Sequence, residues 1–307
     1  MKLIDIHEQF NTADKCLDYL EALRWPKGVC CIACGSVRVS RITREKKGKN
    51  QRTRIYQCLE KECKHQFSPT AGTIFHDSHL PLEKWFYAIA IICEAKKGVS
   101  ACQMQRHLGV NYRTAWHLCH RIREAMKDDG SPLTGVVEID ETYIGGRVPR
   151  RGDRNKPKRK KDVVIGMVER GGRLRYVHIQ HPIATSRNVK PIVDSNVSRE
   201  VDTIMTDESP IYPFAIDAEF SAKRQMVPHN RTYGIGPVHT NTIESAFSLL
   251  KRGLIGSYHK VSIKHLHRYL TEFSYRFNRR EMQSELFAET TKNLLNGERL
   301  PYNKLTT

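Results

Sequence analysis

The chain has 307 residues, of which 39% are hydrophobic and 27% charged, with 51 Lys and Arg against 33 Asp and Glu and a formal net charge of +18. Its length allows two or three domains with sizeable cores. The longest apolar run, Ala88–Cys93, is far short of the ~20 residues of a membrane span, and no basic amphipathic helix with an aromatic face stands out, so the charge points to a polyanion partner and away from membranes.

Asp5, Glu8 and Asp14 interrupt the N-terminus, which therefore does not read as a signal peptide, and a cytoplasmic protein is expected. The nine cysteines are an odd number in a chain without an export signal, so a disulfide framework is not expected. Cys16, Leu17, Leu20 and Leu23 have helical spacing and predict a helix within residues 1–24. Trp25-Pro26-Lys27-Gly28 ends it. Cys16, Cys93, Cys102 and Cys119 fall in helical patterns and read as small core residues.

Residues 25–75 differ in character. Cys31-x2-Cys34 and Cys58-x4-Cys63 are flanked by short β signals. Four thiolates on two tight turns suit a tetrahedral, structural Zn²⁺, in a segment too small to build a core alone. His65 is an alternative to Cys63 as the fourth ligand.

Residues 76–130 predict three helices. Pro81 opens the first, with Trp85, Ile89 and Ile92 on one stripe. Ser100-x-x-Gln103 is a capping-box pattern for the second, Gly109-Val110 turns the chain, and Asn111 caps the third. Helix, glycine turn, helix matches a helix-turn-helix. Arg113, Thr114, His117, His120 and Arg121 are its candidates to face a DNA groove.

Beyond the Asp128–Pro132 linker the periodicity becomes β. Strands are predicted at 135–144, 162–169, 174–180 and 202–206, with another at 223–227. Helices are predicted near 188–198, 210–218, 242–252 and 262–277. This is the element order of a ribonuclease H-like α/β domain with a mixed sheet, assigned to residues 131–285. Residues 286–307 read as a C-terminal tail. The fold class is thus α+β and multidomain.

Asp140 lies on the first of these strands, Asp207 ends another, and Glu244 opens a helix that also carries Lys251. Three carboxylates from separate elements are what a pair of Mg²⁺ (or Mn²⁺) ions needs. Glu244 also fits a capping box with Asn241 as N-cap. Against that purely structural role, Ile243, Ala246, Phe247 and Leu250 line one helix face while Glu244, Ser248 and Lys251 line another, so the acid and the lysine project the same way. Arg252 and His239 add cationic or hydrogen-bonding groups nearby. Glu138 and Glu141 flank Asp140; strand alternation assigns them to the opposite face, as structure or solvent.

Between the first two strands, residues 146–161 hold nine basic residues and one acid. Arg150, Arg151, Arg154, Lys158, Arg159 and Lys160 make this a loop for docking on phosphates. Residues 251–280 carry eight Lys or Arg against Glu272 alone, a further cationic face.

The ordered set of motifs resembles bacterial insertion-sequence transposases of the DDE class, in the subgroup with an N-terminal zinc ribbon. The set comprises Cys31…Cys63, Gly98-Val99-Ser100-Ala101, Asp140-Glu141-Thr142-Tyr143-Ile144-Gly145-Gly146, Thr206-Asp207-Glu208, His239-Thr240-Asn241-Thr242-Ile243-Glu244, Lys251-Arg252-Gly253 and Phe273-x-Tyr275-Arg276-x-Asn278-x-Arg280. The resemblance implies that Asp140 and Asp207 are catalytic. The third position varies within such families, with Asn241 or His239 as alternatives to Glu244; a carboxylate in register with Lys251 favours Glu244. It further implies metal-dependent phosphodiester hydrolysis and strand transfer on double-stranded DNA, at element ends and target, by a homo-oligomer on DNA. A non-catalytic DNA-binding regulator and a metal-dependent nuclease without joining are the alternatives.

Overall fold

The computed structural model describes residues 3–42, 54–145, 161–180, 183–216, 223–227 and 238–306. The chain divides into two units, residues 1–95, 99–126 and 281–307 in one and 96–98 with 127–280 in the other.

In the first unit, α1 (Leu3–Gln9) and α2 (Ala13–Arg24) precede a small antiparallel sheet of β1 (Val39–Ile42), β2 (Ile55–Cys58) and β3 (Gln66–Phe67). Its core holds little besides Trp25, Tyr56, Phe67, Ala71 and two of the cysteines. Buried Arg54 ties the sheet to α2 through Asp18 at 2.5 Å and Glu21 at 3.1 Å. Next come α3 (Leu82–Glu94), α4 (Ala101–Leu108) and α5 (Tyr112–Glu124). Their ends follow the local chemistry. The Ser100 and Asn111 side chains accept from the backbone N–H of Gln103 and Thr114, and Gly109 takes the left-handed cap between α4 and α5 at φ +57°.

The tail expected at residues 286–307 is instead α10 (Leu286–Asn296) and α11 (Tyr302–Thr306), numbered in chain order after the helices below. Leu286, Phe287, Thr290, Thr291, Leu294 and Leu295 are buried, and Phe287 packs against Phe10 and Phe86. A polar average concealed an amphipathic stripe that completes the first unit's core.

In the second unit, β4 (Val136–Gly145), β5 (Lys161–Glu169) and β6 (Leu174–Ile179) form an antiparallel run. After α6 (Ser186–Asn196), β7 (Thr203–Thr206) pairs parallel to β4; after α7 (Tyr212–Ala215), β8 (Arg224–Met226) pairs parallel to β7. The strand order is β6-β5-β4-β7-β8. Helices α8 (Asn241–Gly253) and α9 (Leu266–Asn278) follow. Strand alternation supplies a core on each face of the sheet: Val137, Ile139 and Ile165 pack with α6 and α7, while Val164 and Val168 pack with α8 and α9.

Candidate active-site cleft and zinc centre

The four thiols of Cys31, Cys34, Cys58 and Cys63 lie within 4.8 Å of one another. Cys31 and Cys63 sulfurs are 3.7 Å apart, those of Cys34 and Cys58 3.5 Å. Each turn places a left-handed residue directly after its second cysteine, Gly35 at φ +74° and Lys64 at φ +45°. The two turns thus repeat one tight geometry, and the donor set fits a closed zinc site with no open position. His65 is exposed and its ring stacks on Phe67, outside the thiol group.

The acids of the second unit meet differently. Parallel pairing sets Ile139 opposite Thr206, so Asp140 and Asp207 are the next residues along adjacent strands. Asp140 shares a cleft of about 640 Å³ with Glu244, Lys251, Arg252 and Lys97. Among the described residues the thiols alone form a set of three or more metal-ligand atoms at such mutual spacing, so the three carboxylates are grouped more loosely than the cysteines. Their mutual field is nonetheless strong. Burial pushes the Asp140 carboxyl up to about 7, and the like charges of Glu141, Asp207 and Glu244 act in the same direction. An acid cluster that resists ionisation is what a divalent cation relieves, so the donor set fits hard-metal binding.

That repulsion gives a stability test. The native state keeps a proton on Asp140 that the unfolded chain loses near pH 4. Metal-free protein therefore loses stability as pH rises from about 4 to about 7, and the full penalty persists above that. Asp140→Asn removes it. The variant should be more stable than wild type by about 1–3 kcal/mol at pH 8, after discounting for solvent relaxation, and equally stable near pH 4. Millimolar Mg²⁺ should raise the wild-type melting temperature and leave the variant unmoved; equal melting profiles at every pH would contradict this reading.

Glu138 corrects an expectation. It lies two residues before Asp140, so period-two alternation puts it on the same face, not the opposite one. It is fully buried and accepts from Arg170 Nε at 2.7 Å, Thr242 Oγ1 at 3.0 Å and the Ile243 backbone N–H at 3.0 Å. Its carboxylate therefore fixes the first turn of α8 on the sheet. Glu141 does lie on the other face, where the buried Tyr212 hydroxyl donates to it at 2.5 Å.

Of the alternatives at the third position, His239 sits 3.4 Å from Glu138 and accompanies Arg170, whereas Asn241 is exposed. Asn241 is also not the N-cap. Thr240 holds that position, and its hydroxyl donates to Glu244 at 3.1 Å. The expected capping box is replaced by this one-turn contact, which holds Glu244 from within α8.

Gly166 is a positioning residue that the pattern of residues did not reveal. It pairs with Asp140 across β4 and β5. A Cβ there would lie 2.6 Å from Ile243 and 2.7 Å from Phe247, both buried on α8. Its one signal in the sequence is a glycine inside a strand, which marks close approach of another element. Gly166→Ala should force α8 away from Asp140, costing about 1–3 kcal/mol by overpacking. Thermal melts and a strand-transfer assay should both register the change.

The DNA-facing set on α5 also changes. Arg121 is buried, its guanidinium 4.7 Å from the Trp85 ring centroid and hydrogen-bonded to the His76 carbonyl at 3.1 Å; burial lowers it to about 10. His120 is fully buried against Trp116. His117 is half-buried, 3.0 Å from the Leu300 carbonyl. The stripe Ala115, Leu118, Cys119 and Ile122 sinks α5 deeply enough to take these polar neighbours with it. Arg113 remains exposed, its guanidinium 4.1 Å from the Tyr302 ring centroid, and Thr114 is half-buried in a cavity it shares with His117 and Arg121. Arg252 is exposed at the acid cleft. Arg150, Arg151, Arg154, Lys158, Arg159 and Lys160 lie outside the described residues. No helix among the described residues is long and apolar enough to cross a membrane.

Comparison with known proteins gives the class of both parts, the four-thiol ribbon and the mixed-sheet domain with its carboxylate cleft, as transposase. Residues 132–278 match the ISXO2-like transposase domain, and residues 11–66 match the transposase zinc-ribbon domain. The chain thus carries a transposase domain of the DDE class and, N-terminal to it, a transposase zinc ribbon. One curated relative, described as an uncharacterised protein in transposable element ISH50 of Halobacterium salinarum, is 28% identical over 282 residues, 87% of this chain and 91% of that protein. The crystal structure of the Mos1 strand transfer complex overlaps 70% of this chain and 78% of its own at 11% identity, with a TM-score of 0.29, too loose a superposition to carry an argument.

Proposed function

We propose that the protein is a DNA transposase that cuts phosphodiesters at element ends and joins the freed 3′ ends to target DNA, using Asp140, Asp207 and Glu244 to hold divalent cations. The observation that carries this reading is the placement of Asp140, beside Asp207 in strand register and sharing a cleft with Glu244. The strand order, with three antiparallel strands and two parallel additions, supports a ribonuclease H-like domain. When bound, Mg²⁺ or Mn²⁺ supplies an activated water or 3′-hydroxyl and charge neutralisation at the phosphate under attack. The chain's own residues arrange the rest. Asp140, within β4, and Asp207, directly after β7, arrive on adjacent strands, and Glu138 and Gly166 seat α8 so that Glu244 faces Asp140. Lys251, exposed in the same cleft, neutralises the phosphate undergoing in-line displacement. The left-handed turn at Gly109 between α4 and α5 supports a helix-turn-helix, with exposed Arg113 and half-buried Thr114 as its DNA contacts. The four thiols hold a structural zinc.

The purified protein, incubated with Mg²⁺, element-end duplex and a target plasmid, should yield joined products. Cuts without joining would make it a nuclease, and mobility shifts without cuts a non-catalytic DNA binder.

A further inference from the structure

We propose that the second unit carries an additional DNA-binding element, a cationic trough that leads the strand's phosphodiester backbone from the acid cleft, past residues 254–264, to the adjoining end of β5. This rests on the reading of that cleft as a DNA-processing site.

Three neighbouring cavities share wall residues in series. The acid cleft shares Lys251 and Ile255 with a neighbour of about 590 Å³ that adds Tyr143, His259 and Lys260. The neighbour shares Asp162 and Ile263 with a third cavity of about 670 Å³ that adds Lys161, Lys264 and His267. Shared wall residues set the three cavities next to one another. Lys251, Arg252, Lys260, Lys264 and Lys161 are all exposed, and none is ion-paired among the described residues. Asp162, an acid on the outer walls, lies 3.2 Å from His178. The two outer cavities thus carry Lys251, Lys260, Lys264 and Lys161 against Asp162 alone, an excess of positive charge complementary to a polyanion.

The rim is anchored rather than loose. Leu254–Tyr258 is a π-helical turn, a form that recurs at functional sites. The Tyr258 hydroxyl points inward to the buried Glu272 carboxylate, 2.9 and 3.0 Å from its two oxygens. His259 follows at φ +56°, a left-handed conformation costly for a non-glycine residue. With Tyr258 held inward, Ile255 stands 73% exposed, and Tyr143 on the same trough is 41% exposed. Apolar groups spaced along a cationic groove can contact sugars and bases while the lysines take phosphates.

The test is fluorescence anisotropy of the full chain with a labelled random-sequence duplex of roughly 30 base pairs, without divalent metal, between about 50 and 200 mM salt. The double variant Lys260→Ala, Lys264→Ala should bind about tenfold more weakly, with a log–log salt slope shallower by about 1–2, as expected for two lost phosphate contacts. Lys260→Arg with Lys264→Arg should keep wild-type binding. Lys190→Ala, on α6 against the sheet's other face, should change neither quantity. Unchanged affinity and slope in the alanine pair, or an equal loss in Lys190→Ala, would overturn the trough while leaving the transposase reading intact. Wild-type protein that binds no duplex at all would overturn both.

Discussion

Asp140→Asn and Asp207→Asn are each expected to lower strand transfer by about 10³-fold or more while leaving DNA affinity within about twofold. The substitution keeps volume and hydrogen-bonding shape and removes only the charge. Asp140 lies within β4, paired with Gly166 of β5, and Asp207 directly follows β7, so little structural change is expected. Asp140 already carries a raised carboxyl because burial and its acidic neighbours oppose its charge. Losing one negative charge therefore weakens cation binding without weakening the fold. The same loss removes the field that activates the attacking oxygen. Glu244→Gln should behave likewise, and comparison with Glu244→Ala separates metal binding from the Thr240 contact within α8. Anisotropy for binding and gel-resolved joining products for chemistry read the two effects separately. Full joining activity in either Asp→Asn variant would remove these residues from the catalytic role.

Removing zinc is expected to unfold the ribbon and leave the sheet of the second unit folded. The ribbon core has few large apolar side chains, chiefly Trp25, Tyr56 and Phe67, too few to hold a fold without a crosslink. A structural zinc supplies on the order of 10 kcal/mol or more to such a domain. Metal analysis should find about one zinc per chain. A strong chelator, or Cys58→Ser, should open residues between Cys31 and Phe67 to proteolysis and amide exchange. Asp140 and its strand should stay protected, because the core around Val137, Ile139 and Ile204 contains no ribbon residue. Protein purified without chelator and free of zinc, or a ribbon still protected after chelation, would contradict the assignment.

Local signals carried much of the architecture. The capping residues Ser100 and Asn111, the glycine at 109 and the alternation along residues 136–145 each act within one turn or one strand, and each appears where its chemistry placed it. Paired cysteines two and four residues apart likewise announce tight turns. The misreadings came where distant segments compete. Arg121 and His120 looked outward because polar residues usually are, yet α5 is wrapped by Trp85 and its own neighbours. The C-terminal residues looked polar on average, yet one helical stripe completes a core whose other half lies near the N-terminus. Strand phase puts Glu138 on the Asp140 face. Its true role could not be read from phase alone, since its partners lie 32 and 105 positions away.

The sequence by itself determined the donor chemistry and the elements: four thiols in two turns, one acid on a strand, one just after another strand and one at a helix start, and an excess of positive charge. These depend on residue type and on contacts within a few positions. Tertiary structure alone decided how the acids meet, because their spacing is set by strand pairing between residues 139 and 206 and by the close approach of α8 to Gly166. It also decided which cations remain in solvent and which are folded inward. Packing and register are sums over many remote contacts, and no local pattern encodes them.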